Sequence, residues 1–212
     1  MIAIIDYGRG NLGSVEKAFA RVGVPAAVTQ DPRAVDDADA VVLPGDGAFH
    51  DAMANLARLD LLGPLRRALD GTRPFLGICL GYQLLFTSSE EFGEGRGLDV
   101  IPGVVRRFPA GRKVPHMGWN AVEHGGRLRL FDGVPEGSRF YFVHSYYPEA
   151  RTSDCATSGS GPLRQAWCEY GVRFAAAVEV GRIHATQFHP EKSQGWGLRM
   201  LENFAAIVKE SA

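Results

Sequence analysis

Apolar residues along this chain follow two rhythms. Residues 2–5 (IAII) form a short unbroken apolar run, the mark of a buried strand. After it, Val15, Ala18, Phe19 and Val22 recur three or four positions apart, which predicts a helix with one apolar face, stopped by Gly23. PAAVTQ and AVVLPG predict two further strands. Between 49 and 71, Met53, Leu56, Leu62, Leu65 and Leu69 predict two short helices divided at Gly63-Pro64, where proline suits a first helical position. Residues 74–79 read as a strand and 82–90 as a helix. From residue 98 the texture changes to strands and glycine-rich turns, in DVIPGVVRRF, RFYFVHSYY, RFAAAVEV and RIHATQF. A closing helix carries Leu198, Leu201, Phe204 and Ile207.

Alternating strands and helices followed by a strand-rich half predict an α/β fold, with an open mixed, largely parallel sheet flanked by helices. The polar stretch SDCATSGSG at 153–161 reads as a connection inside one domain spanning 1–212, because either side alone would make a poor core. At 212 residues, 45% of them hydrophobic, the chain can bury a full core as one such domain. Lys plus Arg number 23 against 24 for Asp plus Glu, so the overall field favours neither nucleic acid nor a membrane surface. The basic run VRRFPAGRK at 105–113 reads as a solvated face. Three cysteines, Cys79, Cys155 and Cys168, make no disulfide framework and suit a reducing compartment. MIAIIDYGRG lacks the basic lead of a signal peptide, and no apolar run approaches the ~18–20 residues of a membrane span, so a cytoplasmic location is expected.

Two glycine motifs compete for the chemistry. GRGNLG places Gly8, Gly10 and Gly13 after a strand and before a helix, with Asp31 at the end of the next strand, which is the outline of a dinucleotide site. Asp6 and Tyr7 intervene between the apolar run and the first glycine, and no second nucleotide-binding half follows, so turn glycines are the plainer reading. Gly77-Ile78-Cys79-Leu80-Gly81 has the G-x-nucleophile-x-G pattern of a nucleophile elbow, between a predicted strand and a predicted helix. There the thiol would sit at a helix N-terminus, which favours thiolate, and the Leu80 amide would point where an oxyanion forms. The alternative is a buried cysteine packing as a small hydrophobe. Cys155 and Cys168 have no such frame.

A cysteine nucleophile needs a base and a group to orient that base. Of six histidines, only His189 has an acid at a useful offset: in QFHPEKS, His189 and Glu191 share a face of an extended segment, stiffened by Pro190. No His, Cys or carboxylate cluster has metal-ligand spacing, so no metal is expected.

GICLGYQLLF and QFHPE, with Cys79, His189 and Glu191 in that chain order, resemble the class I (triad-type) glutamine amidotransferases. DYGRGNLGSV, VLPGDGAF, GLDVIPGVVRRF, VPHMGWN, YFVHSYY and QFHPEKS narrow the resemblance to the glutaminase subunits of imidazole glycerol phosphate synthase, nearly end to end. The resemblance implies that Cys79 attacks the glutamine carboxamide, His189 passes a proton to the departing ammonia and Glu191 orients His189. It implies an oxyanion hole from the backbone of Leu80 and of Gly45 and Asp46, which depends on a peptide turning over. Gln83, Gly47, His144, Ser145 and Tyr146 match glutamine-binding positions. Asn11, Met117, Trp119, Tyr141 and Lys192 match positions facing a partner. That partner would be a separate (β/α)8-barrel cyclase, forming a heterodimer that needs no cofactor. The third residue of Pro44-Gly45-Asp46-Gly47 is often uncharged in the family, so the Asp46 carboxylate is expected to point away from the site. Subunits of other glutamine-dependent synthases, a dinucleotide-binding protein and a non-catalytic interaction subunit are the competing readings. VPHMGWN and YFVHSYY argue against the first.

Overall fold

The computed structural model describes residues 1–149 and 162–211. In chain order the first half runs β1 (Ile2–Ile5), α1 (Leu12–Arg21), β2 (Ala26–Thr29), α2 (Pro32–Asp36), β3 (Ala40–Leu43), α3 (Phe49–Arg58), α4 (Leu62–Ala68), β4 (Phe75–Ile78) and α5 (Leu80–Gln83). The second half runs β5 (Phe86–Ser89), β6 (Gly95–Arg96), β7 (Ile101–Arg107), β8 (His116–Ala121), β9 (Arg139–His144), β10 (Tyr146–Pro148), β11 (Arg164–Glu169), β12 (Arg173–Val180), β13 (Ile183–Thr186) and α6 (Gln194–Glu210).

Seven strands form the central sheet in the order β11-β12-β13-β4-β3-β1-β2. β2, β1, β3, β4 and β13 are parallel, while β12 and β11 add antiparallel at one edge. Four-stranded (β10-β7-β5-β6) and two-stranded (β8-β9) sheets complete the fold. The expected mixed, largely parallel sheet is thus present. Strand alternation divides the core: Ile2, Ile4, Ala40, Val42, Leu76 and Ile78 pack with α1 and α6 through Phe19 and Phe204. Ile5, Val41, Leu43 and Phe75 pack with α3 and α4 through Phe49, Leu56 and Leu65 on the other face. Among the described residues no helix is long and apolar enough to cross a membrane.

Two boundaries differ from the sequence expectation. The segment 82–90 is not a helix: α5 is a single turn, and Phe86–Ser89 pairs in parallel with β7 and antiparallel with β6. Its apolar residues fit either period, and partners from later in the chain decide for strand. The division between α3 and α4 falls at Leu59–Leu61, where Asp60 takes φ 56°, and Pro64 sits inside the first turn of α4. The 153–161 stretch and Cys155 lie outside the described residues.

Candidate active site

Parallel strands deliver their C-terminal ends to one edge of a sheet, and in this topology that edge is where a ligand crevice forms. β3 ends into Pro44–Gly47, β4 into Cys79, and β13 into Gln187–His189. Since β4 lies between β3 and β13, the three segments meet. The register Thr186↔Ile78 sets Cys79 just beyond the end of β13, and the Cys79 amide donates to the Thr186 carbonyl at 2.8 Å.

Cys79 adopts φ 55° and ψ −105°, a conformation strained for a side chain, between β4 and the one-turn α5. The turn is possible because the residues two positions either side, 77 and 81, are glycine: a Cβ on Gly81 would run into the Leu43 carbonyl oxygen. Gly81→Ala is therefore expected to cost about 3 kcal/mol or more of stability, read as a lower denaturant midpoint at unchanged slope. The elbow is present, but its helix is one turn long, so local amides rather than a long helix dipole surround the thiol. Cys168, in contrast, is buried in β11, and burial pushes its thiol up to about 12.

His189 Nδ1 and Glu191 Oε1 stand 2.8 Å apart, with both side chains almost fully buried. Burial works against a charged His189, but the Cys79 sulfur and the Glu191 carboxylate outweigh it and lift the imidazole to about 10. Its other nitrogen, Nε2, is buried without a regular hydrogen bond, leaving a lone pair or proton for the thiol and for substrate.

These groups open onto a cavity of about 410 Å³. The sequence-derived residues Asp46, Gly47, Cys79, Leu80, Gln83, His144, Ser145, Tyr146, His189 and Lys192 all line it. Glu191 stands behind His189. Gly45 is present in an unexpected role: its carbonyl accepts the Leu80 amide at 3.4 Å, so the donor expected for an oxyanion is already engaged. Asp46 lines the wall, but one carboxylate oxygen accepts the Gly10 amide at 3.0 Å, which holds its charge on the β1–α1 loop as expected.

Met117 and Trp119 alternate outward along β8 and are 60% and 43% exposed, large values for apolar side chains. Tyr141 faces Trp119 across the β8–β9 pair, with ring centroids 6.1 Å apart. Asn11, exposed at the start of α1, follows Gly10, whose Cα side packs against Gly45.

Sequence reasoning missed two residues. Gln187 points its amide at the Cys79 sulfur, Nε2 to Sγ 3.6 Å. It lies in the quoted QFHPEKS, and its position at the end of β13 was the available signal. Glu91 lines the cavity from the loop after β5, with one oxygen accepting the Phe49 amide at 2.6 Å. That loop was hidden by the helix expected over 82–90.

The dinucleotide outline finds no support. The Gly8 and Gly10 amides are taken by the Asp6 and Asp46 carboxylates, and Asp31 caps α2 by accepting the Arg33 amide at 2.9 Å.

The profile of the family described as "Glutamine amidotransferase class-I" matches residues 3–208. The chain belongs to the class I glutamine amidotransferases. It is 50% identical over 210 residues to the imidazole glycerol phosphate synthase subunit HisH of Moorella thermoacetica, covering 99% of this chain and 96% of that protein. The subunit of the same name from Methanothermobacter thermautotrophicus is 51% identical over 211 residues, covering 99% of this chain and all of that one, 100%. Among solved structures, a glutamine amidotransferase crystal structure superposes with TM-score 0.75 at 17% identity, covering 99% of this chain and 100% of that one. PurLQS from Thermotoga maritima gives 0.71 at 15% identity, covering 99% and 97%. At these identities the structural likeness is one of fold. A strained elbow cysteine at one cavity with a buried His–Glu pair is the arrangement that a cysteine-dependent acyl transfer requires.

Proposed function

We propose that this chain is the glutaminase subunit of an imidazole glycerol phosphate synthase in histidine biosynthesis, as its relatives' shared name suggests. The observation that carries the chemistry is the meeting of Cys79 and the His189–Glu191 pair at one cavity, on the ends of adjacent strands. Cys79 attacks the γ-carboxamide carbon of glutamine, its proton having passed to His189. The tetrahedral intermediate collapses as His189 gives that proton to the leaving nitrogen, and ammonia departs. Water, deprotonated by His189, then cleaves the γ-glutamyl thioester to glutamate and free thiol. Glu191 holds Nδ1–H and so fixes which imidazole nitrogen faces the thiol. The Glu91 carboxylate suits the α-ammonium of glutamine, and the Gln83 and Ser145–Tyr146 wall suits its backbone end.

Ammonia needs a consumer, and the naming of the relatives as one subunit of a synthase argues for a partner. We assign that role to a (β/α)8-barrel cyclase bound as a heterodimer over Met117, Trp119 and Tyr141, with Lys192 at the cavity mouth. The cyclase would combine ammonia with a ribulosyl phosphate intermediate (PRFAR), giving imidazole glycerol phosphate and an aminoimidazole carboxamide ribonucleotide. The test uses glutamine labelled with ¹⁵N in the amide, supplied to the complex with PRFAR and excess unlabelled ammonium. Label is expected in the imidazole ring of the product. Label recovered only as free ammonium, or activation by a different synthase, would refute the assignment.

A further inference from the structure

His116 was given no role by the sequence, and His144, which lines the cavity, was matched to glutamine binding; their hydrogen bonds point to a different part for both. His144 Nδ1 lies 2.8 Å from the Tyr146 carbonyl oxygen, which only accepts, so Nδ1 must carry the proton. His144 Nε2 is then a lone pair, and His116 Nδ1, 3.0 Å away, must donate to it. His116 Nε2 is left to accept from Asn120 Nδ2 at 3.4 Å. The Asn120 amide is oriented by its own contacts, accepting the Ala121 amide and donating to the Glu169 carbonyl, both at 2.9 Å. Each proton position follows from its neighbour, and both rings are neutral.

The same chain continues inward. Gln83 Nε2 donates to the Tyr146 carbonyl at 2.9 Å and to Gln187 Oε1 at 3.1 Å, and Gln187 Nε2 reaches the Cys79 sulfur. A continuous set of buried and part-buried hydrogen bonds therefore joins Cys79 to β8. On that strand His116 and Asn120 face inward and Met117 and Trp119 face outward. Both nitrogens of His144 are spent inside this chain, so neither is left for substrate.

We propose that His116 and His144 are a neutral positioning pair: they fix the Tyr146 carbonyl and, through Gln83 and Gln187, the direction of the Cys79 thiol. This ties the strand that presents Met117 and Trp119 to the nucleophile, and it deepens the glutaminase reading on which it rests. The surroundings suit neutrality. Phe142 and Tyr170 stack on either side of His116, and Phe108 and Phe174 pack against both rings. Among the described residues the titratable groups facing the pair are Tyr170, with its ring centroid 3.9 Å from that of His116, and His189, whose charge opposes a second cation at His144. Burial accordingly drives His116 down to about 4 and His144 down to about 3.

His116→Phe keeps an aromatic ring in an aromatic nest and removes the donor to His144 together with the long contact from Asn120. In the activated complex its kcat is expected to fall roughly tenfold, with KM for glutamine within about twofold. A raised KM at unchanged kcat, for this variant or for His144→Asn, would overturn the proposal by making His144 a glutamine ligand. Ring ¹⁵N spectra of the wild-type chain give an independent reading: both histidines are expected as neutral Nδ1–H tautomers at pH 7 and still neutral at pH 5. An Nε2–H tautomer, or protonation of either ring by pH 6, would overturn it. That spectrum needs no turnover, so it separates failure of this proposal from failure of the glutaminase reading, which an inactive wild-type complex would show. Stability follows the same sign. The unfolded histidines take up protons near pH 6.5 and the folded pair refuses them, so stability falls as pH drops from about 6.5 toward 4.

Discussion

Replacing Cys79 with alanine is expected to lower glutamine hydrolysis by about 10⁴-fold or more, with the fold intact. The size follows from the chemistry rather than from packing. Water alone must attack the carboxamide in the variant, with no thiolate to form the acyl intermediate. Alanine keeps the Cβ and so leaves the strained elbow as it is, and with only the sulfur removed thermal stability is expected to change little. Glutamate release in the activated complex measures the first effect. Mass spectrometry of the quenched wild-type complex is expected to find a γ-glutamyl adduct on Cys79 and none on Cys168, whose thiol burial keeps protonated. Activity within tenfold of wild type in the alanine variant would remove Cys79 from the mechanism.

Binding the barrel partner with its ribonucleotide ligand is expected to accelerate glutamine hydrolysis by roughly 10²-fold or more. In the resting chain the Leu80 amide is held by the Gly45 carbonyl, so a tetrahedral oxyanion would meet a carbonyl oxygen where it needs a donor. Turning the Gly45–Asp46 peptide over exchanges that carbonyl for the Asp46 amide and frees Leu80 at the same time. One oxyanion donor contributes about 10²–10³ in rate, and this single rotation changes two. The bond to be broken is long at 3.4 Å, so its loss costs little. The comparison is glutamate release by the chain alone, with the partner, and with partner and ligand. Equal rates in all three would eliminate the gating and leave the thiol chemistry standing.

The sequence made the parallel half of the sheet legible because β1, β3 and β4 are short apolar runs bounded by turn residues, with helices of clear period between them. It misled at 82–90, where Tyr82, Leu85 and Phe86 satisfy a helical spacing as well as a strand. The pairing with β7, fifteen or so residues later, is invisible to a local pattern. α2 has its markers in Asp31 and Pro32, but five residues carry too little periodicity to stand out. The meeting of the proposed triad was legible since each member carries a local signature: glycines about Cys79, and Glu191 two residues from His189. Gln187, Glu91 and His116 were not, since each gains its role from a partner on a distant strand or loop.

The placement of β13 beside β4 also sets when the thiol becomes dangerous. Its register sets Thr186 opposite Ile78, across more than a hundred residues of chain, and His189 and Glu191 lie beyond it. During synthesis, the segment holding Cys79 leaves the ribosome long before its base exists. A nascent chain that has not yet reached β13 therefore carries the proposed nucleophile without the means to activate it, and hydrolytic competence is expected only once residues 183–191 have emerged. The long reach of this pairing also makes its closure a late, slow event in folding, so that activity would mark the docking of β13 beside β4.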